Sequence, residues 1–86
     1  MNLFILCKPP TPEALRLVEA DPEAGVLLVG KAILSDTKAF GSRSVYVVSE
    51  EIRELGFEAR LEKSVQSKSA GEVITMICES HVLNLE

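Results

Sequence analysis

A chain of 86 residues with a net charge of −4 is expected to form one small domain spanning residues 1–86, in the size range where folding buries only ~60% of the unfolded surface. Thirteen acidic against nine basic residues argue against direct nucleic-acid binding through a basic surface. Two isolated cysteines supply neither a secreted disulfide framework nor the ligand spacing of a metal site, which fits a reducing cytoplasm, and no metal or cofactor is expected.

The first element is the apolar run Leu3 to Cys7, which reads as a strand. It is too short to cross a bilayer and lacks the basic start and small-residue cleavage site of a signal peptide, so no membrane association is expected. Lys8-Pro9-Pro10 ends it, because proline cannot donate into a sheet ladder. Thr11 then suits a helix N-cap with Pro12 in the first helical position, and Ala14, Leu15, Leu17 and Val18 form an apolar face. Asp21-Pro22 marks the stop. Gly25 to Val29 is a second continuous apolar strand, followed by a short helical or turn segment from Lys31 towards Phe40 that closes at Gly41.

Val45 to Val48 is an unbroken β-branched and aromatic run, the pattern of a strand buried on both faces in a parallel sheet. Ser49 is placed to cap the helix that follows, Glu50 and Glu51 complement its dipole, and Gly56 supplies a left-handed stop. Phe57 to Lys68 alternates weakly and predicts a short strand near Leu61 to Gln66. Ser69 caps a last helix that carries Val73, Ile74, Ile77, Cys78 and His81 on overlapping faces, with Gly71 weakening its first turn. Leu83 and Leu85 continue either as an edge strand or as a docked tail. The alternation of elements predicts an α/β domain of three layers, α/β/α, with a mostly parallel sheet of four or five strands. The apolar share of 47% with only one Tyr and three Phe leaves apolar surface for an interface, so an oligomer is expected.

The segment from Gly25 to Lys31 has the spacing of a phosphate-binding loop but not its chemistry. Val26-Leu27-Leu28-Val29 stands where flexible residues must curl their amides around phosphate, and Ala32 stands where Ser or Thr would hold magnesium. Cys7 is the stronger candidate, since it ends a parallel strand at the edge where open α/β sheets place ligands. Lys8 follows it, and a cation beside a thiol favours the nucleophilic thiolate. The plain alternative is a small buried residue finishing the strand. Cys78 and His81 would share a helix face, which permits imidazole to assist a thiol, although Cys78 lies with Ile74 and Ile77 on the apolar stripe and core packing is its ordinary role. Lys8, Lys31 and Arg43 could gather at the carboxyl edge of the sheet as a site for a small anionic ligand. The acidic cluster Glu50, Glu51 and Glu54 is explained by dipole complementarity and solvation without acid-base chemistry.

Three segments resemble the DsrH/TusB family of sulfur-relay subunits, within the wider DsrE-like group. Leu3-Phe4-Ile5-Leu6-Cys7-Lys8-Pro9-Pro10 is similar to the family's opening strand with its polar residue and proline. Gly25-Val26-Leu27-Leu28-Val29 resembles its central apolar strand, and Val45 to Phe57 its strand, acidic turn and helix end. The resemblance implies a DsrE/F-like fold and a subunit that joins DsrE-like and DsrF-like partners, or copies of itself, in passing sulfane sulfur along cysteine persulfides. Such relays serve 2-thiouridine formation in tRNA or sulfur oxidation. Within this reading the chain is either a non-catalytic subunit or a sulfurtransferase component whose carrier is Cys7 by position, with Cys78 in reserve. Neither cysteine matches a family motif: Gly30-Lys31-Ala32 replaces the family's acidic residue and glycine, Ala14 to Ala20 contains no cysteine, and Asn84-Leu85-Glu86 replaces a terminal tryptophan.

Overall fold

A computed structural model describes residues 2–34, 40–41, 43–56 and 65–84. Five strands form one all-parallel sheet in the order β4-β3-β2-β1-β5. They are β1 (Asn2–Leu6), β2 (Gly25–Leu28), β3 (Ser44–Val48), β4 (Val65–Lys68) and β5 (His81–Asn84), and the helices between them are α1 (Pro12–Glu19), α2 (Ser49–Leu55) and α3 (Ala70–Glu79). A turn of 3-10 helix, Gly30–Leu34, follows β2. The remainder of the expected turn towards Phe40, the part of the expected strand at Leu61 to Ser64, and Leu85 lie outside the described residues.

Burial along the strands explains their order. Every residue of β2 is buried, as its continuous apolar run requires of a strand covered on both faces. Val65-Gln66-Ser67-Lys68 in β4 has three polar residues of four and sits at an edge. The pleat sorts side chains in two. Phe4, Leu6, Val26, Leu28, Val45 and Val47 pack with Ala14 and Val18 of α1 and Ile52 of α2. Leu3 and Leu27 pack with Val73 of α3, bordered by half-buried Ile5, Val29, Tyr46, Val48 and Val82. Helices therefore cover both faces, one more thickly than the other.

The local signals act where the sequence places two of the three caps. Thr11 Oγ1 accepts from the Ala14 amide at 3.2 Å with Pro12 opening α1. At α3, Ser69 Oγ accepts from the Glu72 amide while Glu72 Oε1 accepts from the Ser69 amide, both at 3.2 Å, a complete capping box. Gly56 ends α2 with φ +72. Ser49 differs from its expected role. It is the first residue of α2, no side chain caps that helix, and the Ser49 hydroxyl donates instead to Glu50 Oε1 at 2.6 Å. With Val48 at the N-cap position, the Ser49 oxygen is one residue too late to accept from a first-turn amide, and its O–H donates to the neighbouring carboxylate in a short charge-assisted hydrogen bond.

Each of the first three crossovers steps to a neighbouring strand in one direction, and the last returns from β4 past the whole sheet to lie beside β1. Right-handed crossovers put α3 on the face opposite α1 and α2, in agreement with the two clusters. The strand order reverses between β1 and β5, while the connections leaving β3 and β4 part to opposite faces of the sheet, α2 on one and α3 on the other.

Candidate functional site

Cys7 is the first residue beyond β1, exposed and with a free thiol. Its backbone is fixed from β2: the Val29 amide donates to the Leu6 carbonyl at 2.9 Å, and Gly30 turns with φ +55 against the Cys7 carbonyl. An added Cβ at Gly30 would sit 3.5 Å from that carbonyl oxygen, an ordinary contact, so the positive φ is what calls for glycine there. The Gly30 amide donates to Glu51 Oε1 at 3.1 Å, linking the ends of β1, β2 and β3 into one continuous edge. Lys8 and Lys31 are exposed on the same edge, beyond β1 and β2.

Arg43 is not there. It precedes β3 and stands at the amino edge of the sheet, a strand length of ~16 Å away. Its guanidinium donates to three backbone carbonyls: Nη2 to Glu19 at 2.8 Å, Nε to Asp21 at 3.1 Å and Nη1 to Phe40 at 3.2 Å. The expected cluster of Lys8, Lys31 and Arg43 is thus divided, because Arg43 is consumed in tying the end of α1 to the start of β3. The expected pairing of Cys78 with His81 fails for a similar local reason. Helix α3 stops at Glu79, and His81 opens β5 in register with Asn2. Cys78 is exposed near the carboxyl end of α3, away from the edge that carries Cys7. It shares a flank with Ile74 and Ile77 as expected, but that flank faces outward, with Ile74 62% and Ile77 37% exposed.

Own carboxylates occupy the amides of the carboxyl edge. Besides Glu51 on Gly30, Glu50 Oε2 accepts from the Ala70 amide at 2.8 Å across the β3–β4 end, and Glu72 holds Ser69. The Ser49 hydroxyl and then the Ala70 amide hold the Glu50 carboxyl below its ordinary value of 4.5. Two hydrogen bonds from Ser69, the amide first, do the same for Glu72. The Glu50–Ala70 and Glu51–Gly30 contacts join residues 20 and 21 positions apart, which local sequence patterns do not register. A groove of about 230 Å³ beside them, lined by Lys68, Glu72, Thr75 and Met76, is smaller than usual ligand pockets. Among the described residues, no group of three or more His, Cys, Asp or Glu could hold a metal ion, and no helix is long and apolar enough to cross a membrane.

The fold and the edge together define an α/β domain with an open parallel sheet and an exposed thiol, Cys7, at its carboxyl edge. Comparison with known protein families, with curated proteins and with solved structures finds no match.

Proposed function

We propose that the protein is a DsrE/F/H-like sulfur-relay subunit that accepts sulfane sulfur as a persulfide on Cys7. The observation that supports this reading is the position of Cys7: exposed, with its backbone set by β2 and Gly30, at the carboxyl edge of the parallel sheet where open α/β sheets place ligands. The resemblance in its three strand-bearing segments supplies the class of chemistry. In the transfer, the Cys7 thiolate attacks the outer sulfur of a donor R–S–SH. The donor's S–S bond breaks with its electron pair leaving on R–S⁻, and Cys7–S–SH forms. No oxidant is consumed, and the proton stays on the transferred sulfur. Lys8 and Lys31, exposed on the same edge, are available to the departing thiolate. Free thiols on Cys7 and Cys78 fit a reducing compartment, and DsrE-like and DsrF-like chains are the partners this reading implies.

The test is intact mass after exposure to a small-molecule persulfide donor. A gain of one sulfur, about 32 Da, is expected in the native chain and in Cys78→Ser, reversed by dithiothreitol and absent in Cys7→Ser. No gain, or a gain unchanged in Cys7→Ser, overturns the assignment. The other reading, a binding domain for an anionic ligand, loses its third cation to the amino edge at Arg43 and meets three carboxylates on the edge that remains.

A further inference from the structure

We propose that the β5 side of the domain is a self-association surface, on which a second copy of this chain pairs its β5 antiparallel to the first across a two-fold axis. The inference is independent of the sulfur chemistry.

Among the described residues, β5 hydrogen-bonds only to β1, so one edge of its backbone is left for another strand. Exposed edges are normally blunted by charge or proline. The other outer strand, β4, carries Gln66, Ser67 and Lys68, whereas His81-Val82-Leu83-Asn84 contains no Lys, Arg, Asp or Glu. Both faces above this edge are apolar. Side chains on a helix advance by about 100° per residue. With Val73 buried against the sheet and a right-handed crossover running down α3, Ile74 and Ile77 come round to the β5 side. Glu72 and Met76 come to the β4 side, where the groove they share with Lys68 confirms the sense of rotation. The same construction on α1, with Ala14 and Val18 against the sheet, turns Leu17 towards β5 on the opposite face. Of the four large apolar side chains exposed among the described residues, Leu17 at 54%, Ile74 at 62% and Ile77 at 37% therefore flank one strand edge from above and below, and only Leu55 lies elsewhere.

A second copy suits this surface better than a charged partner. Two chains of net charge −4 repel unless they meet where neither is charged, and the strip formed by β5, Ile74, Ile77 and Leu17 offers no charge for a foreign partner to recognise. It is also self-complementary: antiparallel pairing about a point between Val82 and Leu83 sets each apolar flank against its own copy, the isologous arrangement of a two-fold dimer. The ten residues of α3 span ~15 Å, and the layers above and below the sheet add ~20 Å of depth. Such a wall presents ~300 Å² on each copy, on the order of 600 Å² over both before side-chain relief is counted, the size of a weak, reversible association. A dissociation constant in the micromolar range is expected.

Sedimentation equilibrium of the full chain between about 1 and 300 μM, spanning that expected range, tests the proposal. A reversible monomer–dimer equilibrium is expected in the native chain and in Cys7→Ser. Ile74→Glu and Leu17→Glu, both at exposed positions, should shift it to monomer by at least tenfold in dissociation constant with the thermal melt intact. Leu55→Glu should leave it unchanged. Amide hydrogen exchange should slow in Val82 to Asn84 as concentration rises. A chain that stays monomeric throughout, or a dimer indifferent to both Ile74→Glu and Leu17→Glu, overturns the proposal. A monomer that still gains sulfur on Cys7 refutes this surface alone, and a dimer that gains none refutes only the sulfur assignment.

Discussion

Replacing Arg43 decides whether that cation is a clamp or part of a binding surface. In Arg43→Ala three carbonyls lose a charged donor. Hydrogen bonds to charged groups contribute about 1.5–3 kcal/mol each when both partners are shielded, but this guanidinium is only half-buried. The bond to Glu19 is exposed, and water replaces it at little cost. The bonds to Asp21 and Phe40 are partly buried, and solvent screening reduces each to ~1–1.5 kcal/mol. The expected loss is ~2–3 kcal/mol. An unfolding entropy of about 2.1 cal/mol/K per residue over this chain gives ~0.18 kcal/mol/K, so Tm should fall by ~11–17 °C. Arg43→Lys keeps the charge but not the fork that reaches three acceptors, and should recover less than half of the loss. Thermal melts by circular dichroism at neutral pH measure both. A fall below ~3 °C in Arg43→Ala, or full recovery in Arg43→Lys, refutes the clamp.

The two serines that open helices should behave differently. Ser69→Ala removes a cap and should cost ~1 kcal/mol, whereas Ser49→Ala removes only a contact to Glu50 and should cost less than ~0.5; chemical denaturation that ranks them equally contradicts the assigned roles. Gly56→Ala places a side chain at φ +72 with nothing within 4 Å of its Cβ, so the cost is conformational alone, ~1–2 kcal/mol less a partial offset from the stiffer unfolded chain, read as a fall of several degrees in Tm. For pH, the folded carboxyls of Glu50 and Glu72 lie below their ordinary value of 4.5. The stability they contribute is fully present above that value and is lost as pH falls through the lowered ones. Melts taken downwards from about pH 5 should therefore show a shallower decline in Glu50→Gln than in the native chain, and parallel declines count against the Ser49–Glu50–Ala70 contact. Inorganic phosphate at 10 mM, a concentration about 100-fold above a 0.1 mM dissociation constant, should leave Tm unmoved, since a site of that affinity would add about 2.7 kcal/mol.

Much of the fold is legible because its signals are local. Thr11-Pro12, Ser69 with Glu72, and Gly56 each act on backbone groups within a turn of themselves, and the run in β2 is buried on both faces as its composition demands, whereas β3 buries Val45 and Val47 on one face and leaves Tyr46 and Val48 half-buried on the other, which only α3 covers. Helix α3 was harder to read. Ile74, Ile77 and Cys78 form one apolar flank and Val73 and Met76 another, and periodicity alone does not say which of two apolar flanks faces a sheet. The sheet chose Val73. Strand β4 gives a weak pattern because an edge strand need not alternate. Arg43 reads as an ordinary loop cation, since its partners at Asp21 and Glu19 lie 22 and 24 positions away. The half of the candidate site carried by Cys7 was visible from the end of an apolar run, while the carboxylate lattice beside it depends on strands being brought side by side.

That lattice bears on what the edge can receive. Parallel α/β sheets present loop and helix amides beyond their carboxyl ends, and phosphates commonly fill them. Here Glu51 takes Gly30, Glu50 takes Ala70 and Glu72 takes Ser69, so an arriving anion would have to displace a bound carboxylate at each point and approach two others of like sign. Lys8 and Lys31 are exposed on that edge, and Arg43 stands at the opposite one. The sulfur transfer proposed for Cys7 does not compete for those amides: it needs an accessible thiol and a path for the thiolate that leaves, and Cys7 stands exposed just beyond β1. The amides of Gly30, Ser69 and Ala70 are thus taken by the chain's own carboxylates, while the Cys7 thiol beside them stays exposed.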